Sequence, residues 1–386
     1  MIPMKKIEYI IGNENFINTP LAAFDDEICE FLAELSSTIL KNKKFFADLY
    51  SFGFYIRAQN IKKIKLEYKN FLIGRGLCFH ITPSNVPLNF AFSYIFALLA
   101  GNSNIVRLPS KDFEQNNIFC DFLKSILPKY PKANLRTTFV KYERDDEISK
   151  YFSSIADARM IWGGDETISK FRSLQVKPRC IDITFANRNS FAIIDSEAIK
   201  YASQTEMKRL ANDFYNDTYL MDQNACSSPK LVLWLNASND AKQRFWDFVA
   251  EVVKEKYNIA DISCINKYTK LCEQASKKEI IDFEHYKNLL YRVKINRPSK
   301  CCYDVDSGFF YECDLDGFGG ILEFLNSKFQ TITYFGVNAI ALRDFLANNG
   351  ARGIERIVKI GKALDIRHIW DGHDIIRELS KNIEVL

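Results

Sequence analysis

Apolar positions recur at helical spacing through residues 25–60, where Ile28, Leu32, Leu35 and Leu40, then Phe46, Leu49 and Tyr50, fall on one side of successive turns. That pattern predicts amphipathic helices. The next stretch, KIKLEYKNFLIGRG, sets polar turn residues between two apolar runs and reads as a short hairpin. From Leu77 to about Ile194, short apolar runs alternate with helical ones. Strands are predicted at 77–81, 104–108, 137–142, 158–162, 181–185 and 191–194, and helices at 87–100, 113–127, 146–154 and 165–174. This alternation predicts a parallel sheet with helices on both faces, the doubly wound layout of nucleotide-binding domains. Such sheets bind ligands beyond the carboxyl ends of their strands. Thr82–Pro87 (with Pro83), Leu108–Lys111 and Gly163–Glu166 are therefore expected in one crevice.

The second half opens on a helix of clear period, with Met207, Leu210, Ala211, Phe214, Thr218 and Met221 on one face. It runs into the loop DQNACSSP and a strand at 230–235. Helices are predicted at 239–256, 260–275 and 279–291, before strands near 309–315 and 330–335. This half reads as a second α/β domain. The domains expected are 1–190, the N-terminal helices with the dinucleotide-binding sheet; 191–350, the catalytic domain; and 351–386, a segment returning to the first domain or to an oligomer interface.

Composition narrows the classes. The 386 residues are 47% hydrophobic and 26% charged, which fits well-filled cores and no long disordered segment. A net charge of +4 is too small at this length to imply nucleic acid, and no basic-aromatic pattern recurs. The most apolar run, Pro87–Ala100, is too short to span a bilayer and fits a helix buried on all sides. The N-terminus shows no export signal, so a cytoplasmic protein is expected. Ten cysteines form no C-x-x-C pair and no cluster of zinc spacing, which favours reduced thiols. The 31 Phe and 18 Tyr fit either a lipid-chain tunnel or, more simply, an AT-rich genome, since Lys, Asn and Ile are abundant too.

Three places carry candidate chemistry. Cys226 sits in a loop of polar and small residues between a helix and a strand, where a thiolate nucleophile can be reached and backbone N–H groups are near. Most cysteines are inert core filler, and only its loop sets Cys226 apart. A Cys–His pair is the rival chemistry, but none of His80, His285, His368 and His373 stands in a protease-like context. Asn85 follows the first strand of the sheet and could donate to an oxyanion or cap the helix opening at Pro87; the motif alone favours the cap. Gly163, Gly164 and Asp165 form a strand-to-helix turn that would let backbone approach a pyrophosphate. It is not G-x-G-x-x-G.

The order of these pieces is itself informative. FHITPSNVPLNFAFSYIFALLAGNSNIVRLPS, IWGGDETI, DQNACSSP, KFQTITYFG and GIERIVKIGKALDIRHIWDGHDII together resemble the bacterial acyl-CoA reductase (LuxC-like) family of the aldehyde dehydrogenase superfamily. The likeness covers almost the whole chain, including GFYIRAQNI near the start. It implies an aldehyde-dehydrogenase-like fold and reduction of an acyl thioester to an aldehyde, the reaction that supplies fatty aldehyde in bioluminescence. Cys226 matches the acylated cysteine. Asn85 matches the asparagine that completes the oxyanion hole with the cysteine N–H, which moves it from cap to catalysis, and Gly163 and Gly164 match the glycine turn at the cofactor pyrophosphate.

Two departures from the hydrolysing members matter. Their glutamate, which activates water, is replaced by Thr184, so a thioacyl enzyme would resist hydrolysis. NAD-preferring relatives place an acid two residues after the proline that follows the second strand; here that proline is Pro109 and the position is Lys111, with Arg107 and Ser110 beside it. Cations and a hydroxyl there suit the 2′-phosphate of NADPH, with NADH the second choice. The resemblance also admits an acyl-CoA or acyl-protein donor, delivery by an acyl-protein synthetase or acyl carrier protein, and a homo-oligomer. A non-redox cysteine acyltransferase or hydrolase, and a non-catalytic scaffold of the same fold, stay open as alternatives.

Overall fold

The computed structural model describes residues 6–42, 44, 46–69, 71–83, 86–143, 145–277, 280–298 and 304–385. The chain forms two units, residues 1–186 with 366–386 and residues 187–365.

In the first unit, β1 (Glu8–Ile11) precedes the helices α1 (Asp26–Leu40), α2 (Ala47–Tyr55) and α3 (Ala58–Leu66) and the short β2 (Leu72–Gly74). The sheet strands follow as β3 (Leu77–Ile81), β4 (Ser103–Arg107), β5 (Thr137–Lys141), β6 (Ala158–Trp162) and β7 (Ile181–Phe185). Between them run α4 (Asn89–Leu99), α5 (Glu114–Ile126), the one-turn α6 (Pro131–Asn134), α7 (Asp146–Ile155) and α8 (Asp165–Arg172). The sheet order is β1-β5-β4-β3-β6-β7, with β1 antiparallel to β5 and every other pair parallel. Alternation along the strands explains the two faces. Phe79, Ile81, Ile105, Val140 and Ile161 pack with α7 and α8, while Cys78, Val106, Phe139 and Met160 pack with α1, α4 and α5. Strand order reverses between β3 and β6, the switch point where such sheets open a ligand crevice.

Helix α4 is buried from Phe90 to Leu99, as its all-round apolar sequence requires. It ends at Gly101, whose φ of +90° and contact with the Leu21 carbonyl leave no room for a Cβ. The predicted hairpin around 63–76 does not form. Lys63–Leu66 complete α3, and β2 pairs with a strand from the C-terminus instead.

The second unit holds β8 (Asn189–Asp195), α9 (Ser196–Tyr201), α10 (Gln204–Thr218), β9 (Pro229–Leu235), α11 (Asn239–Lys256) and α12 (Asp261–Ser276). Then come β10 (Ile280–Tyr286), β11 (Leu290–Ile295), β12 (Phe309–Leu315), α13 (Gly319–Leu322), β13 (Phe329–Phe335), α14 (Ala339–Asn348) and β14 (Arg356–Lys359). Its sheet runs β10-β11-β12-β9-β8-β13-β14, parallel except for β10. Three expectations are corrected here. Residues 191–194, grouped with the strands of the first sheet although the expected boundary at 190/191 set them in the second domain, belong to β8 of this sheet. The helix expected over 279–291 is the β10–β11 hairpin, turning at Lys287 with φ of +49°. The C-terminal segment expected from 351 begins only after Asp365, because β14 adds to the edge of this sheet beside β13.

Asp217 ties the end of α10 to the turn after β14: its buried carboxylate accepts the Gly361 N–H at 2.6 Å and the Ala363 N–H at 2.9 Å. Burial pushes its pKa up to about 7 against those two bonds, with Asp365 and Asp213 adding to the rise. A folded value above the unfolded one, about 3.9, means stability fully present below pH 4 and lost as pH rises through 7. The expected loss between pH 5 and 8 is on the order of 2 kcal/mol. Melting curves should show Asp217→Asn with a flatter profile over that window, at a lower midpoint because one N–H bond is lost. Parallel profiles would mean that Asp217 does not titrate there.

The C-terminal residues complete the first unit with β15 (Ile369–Trp370), β16 (His373–Asp374), α15 (Ile375–Glu378) and β17 (Ser380–Asn382), the last paired with β2. The Tyr68 hydroxyl donates to Asp374 at 2.6 Å, and Asn102 reaches the Leu379 carbonyl at 2.9 Å. Among the described residues no helix is long and apolar enough to cross a membrane.

Candidate active site

The Cys226 loop is shaped by the residues on either side of it. Helix α10 starts from a Ser203–Glu206 capping box and buries the predicted face from Met207 to Thr218. Two consecutive left-handed residues, Asp222 at φ +48° and Gln223 at +57°, then reverse the chain. The fully buried Gln223 amide fixes that reversal. Its Nε2 donates to the carbonyls of Pro229 and Phe309, both at 3.1 Å, and its Oε1 accepts from the N–H groups of Gly308 (2.7 Å) and Phe309 (3.1 Å). One side chain thus joins the starts of β9 and β12. The Ser228 N–H donates to the Ala225 carbonyl at 2.9 Å, so Cys226 and Ser227 occupy the middle of a tight turn.

Cys226 is partly exposed. The Ser190 hydroxyl, from β8, donates to its carbonyl at 2.7 Å, and its Sγ lies 3.9 Å from Asn187 Oδ1. Burial pushes Cys29 and Cys180 up to about 11 and Cys120 up to about 12, leaving them poor nucleophiles.

The histidines have local partners. His80 is fully buried, with Nδ1 2.8 Å from Ser93 Oγ and Nε2 3.0 Å from Asn104 Oδ1. Burial lowers it to about 4, so it is neutral, with one nitrogen engaged by Ser93 of α4 and the other by Asn104 of β4. His285 lies 3.2 Å from the Lys287 carbonyl, His368 3.1 Å from Glu67, and His373 2.9 Å from Glu378.

In the first unit, Thr82 and Pro83 follow β3, and Gly163, Gly164 and Asp165 follow β6, flanking the switch point. The Thr82 hydroxyl donates to the Arg107 carbonyl at 3.0 Å, joining the ends of β3 and β4. A Cβ on Gly163 would come within 3.1 Å of the Thr167 side chain, whereas one on Gly164 would meet nothing within 4 Å. Backbone is therefore open to a ligand at Gly164. Asp165 and Glu166, both exposed in the first turn of α8, add negative charge, so an anion there would use backbone N–H groups alone.

Arg107 is engaged. Its guanidinium lies 4.4 Å from the Tyr142 ring, and Nη2 donates to the Tyr142 carbonyl at 3.4 Å. Ser110 and Lys111 are exposed, and Lys111 borders a cavity of about 200 Å³ with Pro109, Asn116 and Lys124. Thr184 accepts from Arg172 at 3.3 Å and offers no carboxylate. Asn85 lies outside the described residues. The N-cap position of α4 is Leu88, at φ +57°, whose N–H is held by Asn116 Oδ1 at 3.1 Å, so the helix opens two residues after Pro87. Sequence reasoning assigned no role to Gln223, Ser190 or Asn187; only the place of Gln223 inside the DQNACSSP motif signalled any of them.

The profile of the acyl-CoA reductase (LuxC) family matches residues 59–287, more than half of the chain and all of the Cys226 loop. The chain belongs to this family. Among relatives of this LuxC-family chain, the long-chain acyl-protein thioester reductase of Vibrio harveyi is 24% identical over 323 residues, covering 80% of this chain and 63% of that protein. The enzyme of the same name from Aliivibrio fischeri is 22% identical over 326 residues, covering 79% and 62%. The chain thus spans less than two thirds of the length of these curated relatives. In structure it is similar to an NAD-dependent benzaldehyde dehydrogenase from Corynebacterium glutamicum, at TM-score 0.62 and 13% identity, covering 99% of this chain and 96% of that one. A putative aldehyde dehydrogenase from Burkholderia cenocepacia gives 0.63 at 9% identity, covering 86% and 76%. The fold is that of aldehyde dehydrogenases.

Proposed function

We propose that this LuxC-family chain reduces an acyl thioester to an aldehyde through a thioacyl intermediate on Cys226, with NADPH as the reductant. The observation that carries the proposal is the Cys226 turn itself: a partly exposed thiol at the centre of a turn held by the buried Gln223, inside the segment that matches the family. The names of the relatives, long-chain acyl-protein thioester reductases, support a long-chain acyl group and an acyl-protein donor. Acyl-CoA, a partner synthetase and an acyl carrier protein belong to the same proposal, as do a homo-oligomer and a cytoplasmic setting.

The Cys226 thiolate attacks the thioester carbonyl carbon and forms a new S–C bond. The amide of Asn85 and the N–H of Cys226 donate to the oxyanion. The donor's sulfur leaves as a thiol, taking up one proton. Thr184 provides no base to activate water, so the thioacyl link persists. A nicotinamide dinucleotide, when bound, supplies the hydride for aldehyde formation. Thr82, Pro83, Gly163, Gly164 and Asp165 would hold it by backbone at the switch point, and Arg107, Ser110 and Lys111 would hold its adenosine end. The open approach over Gly164 and the exposed Lys111 fit such a group.

The test is turnover with acyl-CoAs of graded chain length and an acylated carrier protein, with NADPH and NADH in parallel, following nicotinamide absorbance and aldehyde. No aldehyde from any donor with either cofactor would sink the proposal; dinucleotide binding without turnover would favour the scaffold reading.

Lys111→Glu tests the adenosine end. It replaces a cation with an anion where the 2′-phosphate is expected, which should cost a few kcal/mol of NADPH binding, on the scale of a lost charge-assisted bond. NADH lacks that phosphate and should change little. The quantity to measure is the ratio of kcat/KM for the two cofactors; an unmoved ratio would place the phosphate elsewhere.

A further inference from the structure

Trp162 ends β6, one residue before the glycine turn at the switch point, and Phe185 ends β7 beside it. Their rings stack, with centroids 3.6 Å apart and planes 13° from parallel. The Gly163 N–H donates to the Phe185 carbonyl at 3.2 Å, which ties the stack to that turn. Phe185 is buried and covers one face of the indole, and His373 meets Phe185 edge-on at 5.7 Å. Trp162 still stays partly exposed. A strand end that only needed filling could use an aliphatic side chain; an indole brings an N–H that must find a partner.

That partner is supplied by a chain of hydrogen bonds whose donors and acceptors are fixed. Asn104 Nδ2 donates to the carbonyls of Asn102 (3.0 Å) and Arg136 (3.2 Å), so Asn104 Oδ1 faces His80 as an acceptor. His80 Nε2, 3.0 Å away, therefore carries the ring proton. Neutral His80 then offers Nδ1 as an acceptor to the Ser93 hydroxyl at 2.8 Å. The Met160 sulfur, 3.4 Å from the same hydroxyl, is the weaker acceptor. The Ser93 oxygen is left to accept from Trp162 Nε1–H at 3.2 Å. Three fully buried polar side chains, Asn104, His80 and Ser93, thus serve to orient one indole.

We propose that the Trp162 indole is the platform on which the nicotinamide ring stacks, with Ser93 and His80 as its positioning residues. The proposal rests on the dinucleotide reading given under the proposed function. Sheet order decides which ring goes where, because a dinucleotide lies across the switch point with one nucleotide on each half of the sheet. With the adenosine end at β4 beside Lys111, the phosphates pass the Gly163–Gly164 turn and the nicotinamide falls at the ends of β6 and β7. Those two ends carry the stacked pair. Oxidised nicotinamide is a cation and indole is the best aromatic partner for one, so the contact is attractive beyond its area.

The experiment titrates the whole chain with NADP+, NAD+, NADPH and 2′-phospho-ADP-ribose, which lacks only the nicotinamide, and follows absorbance and calorimetric affinity. An indole lying against oxidised nicotinamide gives a broad charge-transfer absorbance at wavelengths where neither ring absorbs alone. Wild type should show it with the oxidised dinucleotides and not with the fragment. Trp162→Leu should abolish the band and weaken NADP+ about tenfold, the scale for one cation–π contact. Its loss for NADPH, whose ring is uncharged, should be smaller, and for the fragment none. Trp162→Phe keeps an aromatic ring in place and should lose the band as well, while Ser93→Ala, which releases the indole N–H, should weaken it. A ring that only fills the sheet end would lower melting points and shift NADP+ and the fragment equally. That result, or wild type binding NADP+ without a band, overturns the proposal. A chain that binds neither the dinucleotides nor the fragment removes the cofactor reading itself, and the platform with it.

Discussion

Cys226→Ala is expected to abolish aldehyde formation, by at least three orders of magnitude on the scale for removing a covalent nucleophile. The fold should survive it. The hydrogen bonds described at the turn use backbone or neighbouring side chains: the Ala225–Ser228 bond, the four bonds of Gln223, and the Ser190 hydroxyl on the Cys226 carbonyl. None of these bonds uses the sulfur, whose contact with Asn187 is long at 3.9 Å, so melting and dinucleotide binding should stay close to wild type. Incubation with acyl-CoA in the absence of reductant should leave a thioester-linked acyl group on Cys226. The exposed Cys272 is the internal control for unspecific labelling. An acyl label that persists in Cys226→Ala, or that sits on another cysteine in wild type, would remove the nucleophile from this loop.

How far this site was legible follows from what each residue does. Strands β3 to β7 were readable because runs such as LCFHI and ARMIW are short, apolar and set between helical segments, as buried parallel strands must be. The same logic failed at β8. FAII has the composition of a buried parallel strand, but composition does not say which sheet it joins, and the chain changes units at Ala186. The β10–β11 hairpin was missed for another reason. Ile280, Phe283, Tyr286 and Leu290 recur at steps of three and four, which imitates a helix, while β10 is an edge strand with a largely exposed face and no clean alternation.

Within the site, Cys226 could be singled out from its polar loop, but the residues that hold it could not. Gln223 looks like a solvated loop residue and is fully buried, because its worth lies in four backbone partners, two of them on a strand more than eighty residues away. The Arg107 guanidinium, read as a phosphate ligand, already has Tyr142 for company, so of the three groups named for the 2′-phosphate Lys111 carries the sharper expectation.

Asn85→Ala is expected to lower turnover by roughly 100- to 1000-fold, the scale for losing one oxyanion donor. The competing expectation, a helix cap, predicts about 1 kcal/mol of lost stability with turnover intact. The cap position of α4 belongs to Leu88, a residue in the left-handed region with no side-chain cap, and the N–H at that turn is satisfied from α5 by Asn116. The oxyanion role asks for something else: the loss should fall on kcat rather than on KM, since the donor acts on a charge that exists only after attack. Acylation of Cys226 should slow with it, because the same oxyanion forms in that step. Single-turnover labelling of Cys226, run beside melting curves, separates the two outcomes. A variant that acylates at the wild-type rate but melts several degrees lower would take Asn85 out of the chemistry and leave the oxyanion to backbone donors.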